Sequence, residues 1–433
     1  MDRITLTPFA RPFRASIAPP GSKSLTNRAL VIAALADGAS SLSNVLFAED
    51  TEVMIAGLRA LGFELGFDAK KATVKVKGRG GMIPATSADI GCANSGTTIR
   101  FLTALCALGE GTYRLDGNER MRQRPIAELV VLLEELGAAA MYESATGYPP
   151  LVVKGGGIAG GRTHFPSAHS SQYLSAVLMA APYARASDVV VELGAGQTSW
   201  PYVEMTTRLM AHFGVHAWVA REQPSGEPKE IRVPRGVYQA REYEVEPDAS
   251  NATYFMAAAA VYPGASLRIP GLGANSLQGD VGFAPLLEQM GARVTLADDA
   301  IMVEGAERLR GIDVDMTPMP DAAMTLAAIA VLADGPTTIR GLHTLRVKET
   351  DRLAALQTEL RKLGATAEIE GDALRITPPT ELQSADIETY DDHRMAMAFA
   401  VVGTRVPRTT ILEPDCVRKT YPDFFADLES IRA

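Results

Sequence analysis

The chain has 433 residues, of which 47% are hydrophobic and 6% aromatic, a composition typical of an ordinary globular protein with a large core. The net charge is −9 and the sequence pI is about 5.4, which argues against nucleic acid as a partner and favours small anionic ligands for any basic site. The N-terminal stretch lacks an apolar signal core and the chain lacks an unbroken apolar run, so we expect a cytoplasmic protein that does not bind a membrane.

A helix-prone segment rich in small apolar residues recurs six times along the chain. Each copy opens with Ser, Asn or Asp, ends near Gly or Pro, and is followed by a β-rich piece. The copies are spaced roughly 70–79 residues apart, and their anchors are Ser24, Ser95, Ser171, Ser250, Asp321 and Asp391. Such regular spacing predicts six equal structural units.

The composition of these segments predicts their place in the fold. Each has almost no polar face, which is typical of a helix buried on all sides. Polar and cationic residues gather at the start of each helix, where backbone N–H groups lack partners and can bind anions. Five copies are followed by a second, amphipathic helix that ends in a Gly and then a strand.

The repeating unit is therefore predicted as strand, buried helix, strand, exposed helix and two strands. Six such units favour an α/β protein with two pseudo-threefold domains of three units each. The buried helices would lie inside an outer sheet, as in an inverted α/β barrel.

The first charged segment in chain order is PPGSKSLTNRAL, which opens the first buried helix. A Walker A loop is excluded, because Ile17 stands where the first Gly of that motif is required. The segment instead predicts a helix start at which Lys23, Ser24 and Arg28 bind an anion.

Three more segments of the N-terminal half carry anion-binding groups. In ANSGTTIR, Gly96 permits close approach of the backbone to a ligand. In NERMRQRPI, Arg120, Arg122 and Arg124 are predicted to be unpaired and favour phosphate or carboxylate, because a guanidinium binds such groups with two hydrogen bonds. HSSQYL adds two hydroxyls and an amide.

The C-terminal half supplies the titratable groups. In MPDAAMT, Asp321 directly precedes an apolar helix, where it is either an N-cap or a functional carboxylate. RVKETDRL sets Lys348, Glu349 and Arg352 close together at a predicted helix start. These charges are either the solvated face of a helix or an anion site with a proton-transferring carboxylate.

No metal or disulfide is expected. In YDDHRMAMAF, Arg394 beside His393 makes an Asp/His site cationic and therefore unsuited to a metal. Cys92, Cys106 and Cys416 lack CxxC spacing, which argues against both a zinc site and a disulfide framework. Cys106 is predicted to lie in the core, and no base near Cys92 in sequence supports a catalytic thiol.

Eight motifs, in order, resemble those of the 5-enolpyruvylshikimate-3-phosphate synthase family. They are PPGSKSLTNRAL, NSGTTIR, ERMRQRPI, SSQYL, PDAAMT, RVKETDRL, DDHRMAMAF and KTYPDFF, and they span residues 19–425. The resemblance implies a transferase of the shikimate pathway of aromatic amino acid biosynthesis. The implied reaction moves the enolpyruvyl group of phosphoenolpyruvate to the 5-hydroxyl of shikimate 3-phosphate, by addition and elimination through a tetrahedral intermediate that releases phosphate.

The resemblance also implies two domains, residues 1–20 with 241–433 and residues 21–240, with the active site in the cleft between them. The ligands implied for shikimate 3-phosphate are Lys23, Ser24, Arg28, Ser170, Ser171, Gln172, Ser199, Tyr202, Asp321 and Lys348. Those implied for phosphoenolpyruvate are Lys23, Gly96, Arg124, Gln172, Arg352, Arg394 and Lys419. The implied catalytic residues are Asp321, Glu349, Lys23 and His393.

Three positions depart from the family pattern. Thr344 stands where Asn is expected, Trp200 where Lys is common, and Ala93 where Gly is usual. The contact of residue 344 with the shikimate and the rim of the phosphate site at residue 200 are therefore expected to differ.

The residue types suit the implied chemistry. The methylene carbon of phosphoenolpyruvate must gain a proton while the 5-hydroxyl loses one, and both transfers are reversed when phosphate leaves. Two carboxylates with neighbouring cations can serve both directions, and the cations stabilise phosphate and carboxylate charge. No cofactor is required. We further expect a monomer that glyphosate inhibits.

Two alternatives are weighed against this function. The enolpyruvyl transferase that acts on UDP-N-acetylglucosamine resembles this fold and uses a catalytic Cys in its arginine loop, whereas NERMRQRPI contains no Cys. A non-catalytic homologue would bind anions without turnover, and the presence of both Asp321 and Glu349 argues against it.

Overall fold

The computed structural model describes residues 2–166 and 170–432. The α-helices within these ranges are α1 (Lys23–Leu35), α2 (Glu49–Ala60), α3 (Gly96–Ala107), α4 (Ala127–Glu135), α5 (Ser171–Ala180), α6 (Trp200–His212), α7 (Ala249–Ala260), α8 (Phe283–Gln289), α9 (Ala323–Ala330), α10 (Arg352–Lys362), α11 (His393–Gly403) and α12 (Phe424–Ser430).

The strands are short and lie between the helices. They are β1 (Arg3–Thr5), β2 (Arg14–Ser16), β3 (Ala39–Ser43), β4 (Glu64–Asp68), β5 (Thr73–Lys77), β6 (Ser87–Gly91), β7 (Thr112–Asp116), β8 (Ala139–Tyr142), β9 (Leu151–Lys154), β10 (Gly161–Phe165), β11 (Val189–Leu193), β12 (Trp218–Arg221), β13 (Pro228–Val233), β14 (Glu242–Glu244), β15 (Ser266–Pro270), β16 (Arg293–Leu296), β17 (Ala300–Glu304), β18 (Leu309–Arg310), β19 (Asp313–Asp315), β20 (Ala333–Asp334), β21 (Thr337–Arg340), β22 (Thr366–Glu370), β23 (Ala373–Thr377), β24 (Asp386–Ile387) and β25 (Thr410–Leu412).

Buried and amphipathic helices alternate along the chain, as the repeat predicts. Every residue of α3, α7, α9 and α11 is buried. In α1 only Lys23 and Ser24 are more exposed, and in α5 only Gln172. The prediction of six buried helices is confirmed, and the exceptions lie in the first turn, where anion-binding groups were expected.

The second helix of a repeat ends at a glycine in five cases. Gly62, Gly137, Gly214, Gly291 and Gly364 all have φ between 86° and 110°. A side chain with a Cβ atom is strained in this region, so glycine is the residue that lets the chain leave the helix in the left-handed conformation. The glycine caps predicted from the sequence are therefore confirmed.

Six sheets share one pairing pattern. Each has a parallel first pair followed by antiparallel pairing, and their strand orders are β14-β3-β5-β4, β6-β7-β9-β8, β10-β11-β13-β12, β2-β15-β17-β16, β19-β21-β23-β22 and the three-stranded β24-β25-β1. β18 and β20 form a further parallel pair. The predicted order of strand, buried helix, strand, exposed helix and two strands is thus seen directly in β6-α3-β7-α4-β8-β9.

The chain divides into two compact units, in each of which the residues pack mainly on one another. We call Met1–Pro20 with Glu246–Ala433 the terminal unit, and Gly21–Val245 the inserted unit. The sequence prediction set the second boundary at residue 240. The boundary lies five residues later because β14 pairs with β3 and so completes a sheet of the inserted unit.

Each unit is built around three buried helices. In the inserted unit α3 packs on α1 and α5, and in the terminal unit α9 and α7 pack on α11. Alanine-rich stretches such as Ala257–Ala260 allow close approach of these helices, because burial of small side chains leaves the backbones near one another. None of the helices in the described ranges combines the length and apolarity needed to cross a membrane.

Candidate active site

Asp321 lies just before α9 and is surrounded by cations of the terminal unit. The N-cap position of α9 is Ala322, so an N-cap is not the role of Asp321. Its Oδ1 lies 3.1 Å from Nη1 of Arg352 and 3.5 Å from Nζ of Lys348. Its Oδ2 accepts a 2.9 Å hydrogen bond from Nη2 of Arg394. The helix start thus holds a carboxylate shared by three cations.

Arg352 is the centre of this group and is only 1% exposed. Its Nε and Nη2 donate to the two oxygens of Asp392 at 2.7 and 3.1 Å, and its Nη2 lies 2.9 Å from Oε2 of Glu349. Burial alone would lower the pKa of Arg352, but the attraction of Asp392, Glu349 and Asp321 outweighs it and raises the pKa above its ordinary value. The guanidinium is therefore a permanent charge that joins Asp321 to Glu349.

Glu349 is held between two cations. Its Oε1 lies 3.4 Å from Nζ of Lys419, while its Oε2 pairs with Arg352. The side chain of Glu349 is 8% exposed, so the alternative that it belongs to a solvated helix face does not describe it.

The local backbone explains this burial. α10 begins at Arg352 with Asp351 as its N-cap, and a short 3₁₀ helix covers His343–Val347. Lys348 and Glu349 lie between the two helices, so their side chains are directed by a turn and not by helical spacing.

Arg394 and His393 open α11. Asp392 is the N-cap and accepts a 2.9 Å hydrogen bond from the backbone N–H of Arg394. Arg394 Nη1 also donates to Oη of Tyr254 at 3.3 Å. Burial raises the pKa of Tyr254 to about 12, against the opposing effect of Arg394, so the phenol stays neutral. His393 is fully buried, with Nδ1 3.7 Å from Asp392 Oδ1.

Asp392 was not among the sequence-predicted site residues. It anchors the guanidinium of Arg352 and caps α11 at the same time. An acidic residue immediately before an apolar helix is a signal for a cap, but its pairing with an arginine forty positions earlier has no local signal.

The ion pairs of this cluster leave it slightly cationic. They join three carboxylates to four cationic side chains, which are Asp321, Glu349, Asp392, Lys348, Arg352, Arg394 and Lys419. The described cluster therefore carries one net positive charge when His393 is neutral. The carboxylates fix the positions of the cations before any anionic ligand arrives.

In the inserted unit, Lys23 lies in the first turn of α1. Ser22 is the N-cap and accepts from the backbone N–H of Leu25. Nζ of Lys23 lies 3.2 Å from Oδ2 of Asp50, which is buried in the first turn of α2. Asp50, like Asp392, is a carboxylate partner of a predicted site cation that the sequence analysis did not identify.

Arg28 is fully buried one turn further along α1. Its guanidinium donates to Thr206 Oγ1 at 2.7 Å, Ser24 O at 3.0 Å, Ser175 Oγ at 3.2 Å and Tyr202 O at 3.4 Å. All four acceptors are neutral, and burial lowers the pKa of Arg28 to about 10. The residue is thus protonated at neutral pH, and a bound anion would stabilise its charge.

Arg100, Gln172 and Ser170 are connected across the starts of α3 and α5. Arg100 Nη1 donates to Gln172 Oε1 at 2.6 Å and to Ser170 Oγ at 3.3 Å, and Gln172 Nε2 donates to Thr97 Oγ1 at 3.2 Å. Ser170 is also the N-cap of α5, and Ser171 is its first residue. Arg100 therefore orients these groups. In the sequence, its position at the end of ANSGTTIR was the signal for such a role. The preceding His169 lies outside the described residues.

Arg124 lies against the turn that contains Gly96. Its Nη1 donates to Asn94 O at 3.1 Å and to Asn94 Oδ1 at 3.3 Å. A Cβ atom on Gly96 would come within 2.6 Å of Arg124 Nη2, so a side chain at this position would displace the guanidinium. Ala93 has a φ of 46°, which explains why glycine would suit that position better.

The other two arginines of the NERMRQRPI segment bond to other groups. Arg122 forms a close ion pair with Asp116, with Nη2 2.6 Å from Oδ2, and Arg120 donates to Gln123 at 3.2 Å. The prediction of three unpaired arginines is therefore wrong for Arg122, because Asp116 lies outside the segment in sequence but next to it in space.

Ser199 and Tyr202 lie at the start of α6. Ser199 is the N-cap residue, with a left-handed φ of 53°, and its hydroxyl makes no capping bond. Tyr202 supplies the carbonyl that Arg28 contacts. Trp200, the departure from the family pattern, donates from Nε1 to Glu204 Oε1 at 2.7 Å. Thr344, the second departure, is buried at the 3₁₀ helix.

Neither a metal centre nor a reactive thiol is indicated in the part of the chain that the structure describes. Among the described residues, no group of three or more His, Cys, Asp and Glu side chains could hold a metal ion. Cys92 and Cys106 are buried, as predicted for Cys106, and burial raises the pKa of both thiols. They therefore remain protonated and poorly nucleophilic at neutral pH.

Comparison with known proteins gives consistent matches over the whole chain. The family model for EPSP synthase (3-phosphoshikimate 1-carboxyvinyltransferase) matches residues 10–428. The 3-phosphoshikimate 1-carboxyvinyltransferase of Nostoc punctiforme is 47% identical over 426 residues, which cover 98% of each chain. The chloroplastic enzyme of that name from Brassica napus is 44% identical over 99% of this chain and 85% of its own. The solved EPSP synthase of Acinetobacter baumannii is 25% identical and superposes with a TM-score of 0.81 over 100% of this chain and 98% of its own.

Proposed function

The chain belongs to the EPSP synthase (3-phosphoshikimate 1-carboxyvinyltransferase) family. We propose which of its residues bind each substrate and which transfer protons. It is a transferase of the shikimate pathway that moves the enolpyruvyl group of phosphoenolpyruvate to shikimate 3-phosphate. The observation that carries the assignment of roles is the bridge from Asp321 through Arg352 to Glu349.

Shikimate 3-phosphate is assigned mainly to the inserted unit. Its phosphate suits the first turn of α1 and the buried Arg28, whose guanidinium donates to neutral oxygens and would gain from a charged partner. Hydroxyl and amide groups at the starts of α5 and α6 complete the set. The proposed ligands are Lys23, Ser24, Arg28, Ser170, Ser171, Gln172, Ser199 and Tyr202, with Asp321 and Lys348 of the terminal unit for the ring hydroxyls.

Phosphoenolpyruvate carries a carboxylate and a phosphate, and both need cations. Arg124, beside Gly96, offers a guanidinium whose orientation is set by Asn94. The proposed ligands are Lys23, Gly96, Arg124, Gln172, Arg352, Arg394 and Lys419. Residues of both units therefore take part in one reaction.

Asp321 and Glu349 are the proposed proton-transfer pair. In the addition step the C=C bond of phosphoenolpyruvate accepts a proton at its methylene carbon, and the 5-oxygen, losing its proton, bonds to the adjacent carbon. In the elimination step that methyl carbon returns a proton, the C=C bond re-forms and the C–O bond to phosphate breaks. Each carboxylate contacts a lysine that can pass protons, Lys348 or Lys419, and Arg352 stabilises the charge of both.

Lys23 and His393 complete the proposed catalytic set. Lys23 balances developing phosphate charge from the start of α1. His393 lies next to Asp392, so a change in its protonation would act on the carboxylate that anchors Arg352. No step requires a cofactor.

The overall reaction is tested by phosphate release. Purified protein mixed with phosphoenolpyruvate and shikimate 3-phosphate should release phosphate, whereas either substrate alone should not. UDP-N-acetylglucosamine should not replace shikimate 3-phosphate, because the arginine segment lacks the Cys that the other transferase uses. Binding of both substrates without phosphate release would favour the non-catalytic alternative.

The assignment of Arg124 is tested by calorimetry. Arg124→Ala should weaken phosphoenolpyruvate binding, since a bidentate partner for an anion is lost, and should leave binary binding of shikimate 3-phosphate nearly intact. Arg122→Ala is the matched control, because Arg122 is exposed and paired with Asp116. Equal losses for both ligands in Arg124→Ala would overturn the assignment.

Three finer properties are also proposed. Glyphosate should compete with phosphoenolpyruvate, because it is also a small anion for which the guanidinium of Arg124, beside Gly96, is a suitable partner. A cytoplasmic location is also proposed, and fractionation of cells that express the protein tests it. A monomer is also proposed, and light scattering from the purified protein tests it.

A further inference from the structure

Ser199 has a backbone conformation that a side chain with a Cβ atom rarely adopts. Its φ and ψ are 53° and 38°, and it immediately precedes α6. Such a conformation in a non-glycine residue is unfavourable and persists only where neighbouring contacts hold it. The residue that follows it, Trp200, is itself fixed by side-chain contacts.

Trp200 is held by two side chains on its outer side. Its Nε1 donates to Glu204 Oε1 at 2.7 Å, one helical turn further along α6. Arg221, at the end of β12, donates to the same oxygen at 2.7 Å and lies 5.8 Å from the centre of the indole ring. Arg221 also donates from Nη1 to Gly226 O at 2.9 Å, which ties the β12–β13 loop to the group.

The first two turns of α6 are also hydrogen-bonded to Arg28, a proposed phosphate ligand. The backbone N–H of Tyr202 donates to Ser199 O at 3.0 Å, and Tyr202 O accepts from Arg28 Nη2 at 3.4 Å. Thr206, one turn later, accepts from Arg28 Nε at 2.7 Å. A rotation of the first turn of α6 would therefore move Ser199 relative to Arg28.

We propose that Trp200, Glu204 and Arg221 form a clamp that positions the hydroxyl of Ser199 for the phosphate of shikimate 3-phosphate, an inference that rests on the proposed contact between Ser199 and that substrate. The three clamp residues do not themselves touch the phosphate. They are positioning residues, and Trp200 stands where a lysine is common in the family pattern. In this chain the side chain at position 200 acts through its neighbour, whereas a lysine could act by its own charge.

The exposure of the clamp separates positioning from stability. The side chains of Glu204 and Arg221 are 43% and 42% exposed, and ion pairs with such exposure add little to the stability of a fold. Trp200 also borders a cavity of about 300 Å³ lined by Gly196, Gln197 and the β12–β13 loop. A smaller ring at position 200 would therefore leave more open space and would not clash with its neighbours. Loss of the clamp should alter substrate binding more than folding.

The first experiment compares two tryptophan variants. Trp200→Phe keeps an aromatic ring but lacks the N–H donor, and it should raise the KM for shikimate 3-phosphate about three- to tenfold, the range expected for a weakened hydrogen bond. The kcat and the KM for phosphoenolpyruvate should change less than about twofold, because uniform binding is lost and not transition-state binding. Trp218→Phe is the matched control, since Trp218 is 73% exposed on β12.

Two variants at exposed positions control for a folding defect. Glu204→Gln and Arg221→Gln remove the charges of the clamp at exposed positions and should raise the same KM with an unchanged melting temperature. An unchanged KM for shikimate 3-phosphate in Trp200→Phe, Glu204→Gln and Arg221→Gln would overturn the clamp.

A double mutant separates the clamp from the proposed substrate contact. Ser199→Ala should raise the KM for shikimate 3-phosphate by about tenfold or more, since a hydrogen bond to a charged group is lost. Adding Trp200→Phe to Ser199→Ala should cause no further rise, because the clamp acts through the Ser199 hydroxyl. Independent, multiplying effects would overturn the clamp alone. No effect of Ser199→Ala would instead overturn the proposed contact of Ser199 with the substrate.

Discussion

Replacement of Asp321 by Asn tests the proposed proton-transfer pair most directly. Asn keeps the size of the side chain but has no negative charge and no acidic proton. Its oxygen can face Arg352 and Lys348, but its amide then faces Arg394, which loses the 2.9 Å bond to Oδ2 and retains its contact with Tyr254.

The charges of the site predict how the kinetic parameters should change. The described ion-pair cluster carries one net positive charge, and removal of one carboxylate raises it to two. Binding of two anionic substrates should therefore not weaken for electrostatic reasons. Loss of a general acid or base commonly lowers turnover by about 10²–10⁴. We expect kcat to fall by this amount while the KM for phosphoenolpyruvate stays the same or falls.

The assay is the initial rate of phosphate release with each substrate varied in turn. Asp351→Asn is the matched control, because Asp351 caps α10 and Asn caps a helix equally well. Melting temperatures of both variants establish that they fold. A kcat for Asp321→Asn within about threefold of the wild type would remove Asp321 from proton transfer. An unchanged kcat with a raised KM would make it a binding residue.

Three further variants test other parts of the site. Glu349→Gln should lower kcat by about 10²–10⁴, and in combination with the change at Asp321 the loss should be much smaller than the product of the two, which rate measurements on the double mutant can check. Gly96→Ala should raise the KM for phosphoenolpyruvate about ten- to hundredfold by displacing Arg124, with calorimetry showing unchanged binary binding of shikimate 3-phosphate. Tyr390→Phe removes a 2.7 Å bond to the buried Glu359, so urea unfolding should show a loss of about 1–3 kcal/mol.

The fold could be predicted because its signals are local. An Ala- and Leu-rich helix without a polar face must be buried, and a Gly at the end of an amphipathic helix favours a left-handed cap. Both signals recur with one spacing, and the structure confirms both. The boundary near residue 240 depended on a long-range pairing, that of β14 with β3, which lie about two hundred residues apart in sequence.

The site could be predicted only in part, for the same reason. The cations at the helix starts were visible, but their partners were not, because Asp50 and Asp392 come from other elements. The pairing of Arg122 with Asp116 was missed because the acid belongs to β7, outside the arginine segment. Sequence patterns identify which residues have charge, and the fold decides which charges are neutralised.

Arginines of the two units differ in whether their partners are neutral oxygens or carboxylates. In the inserted unit, Arg28 and Arg124 donate to neutral oxygens, so an arriving anion gains charge attraction without displacing a carboxylate. In the terminal unit, Arg352 is already shared among three carboxylates, so it adds less to affinity but holds Asp321 and Glu349 in a fixed geometry. Substrate affinity should therefore depend chiefly on the inserted unit, and turnover chiefly on the terminal unit. Charge-removing substitutions at Arg28 should accordingly affect KM, whereas those at Asp321 should affect kcat.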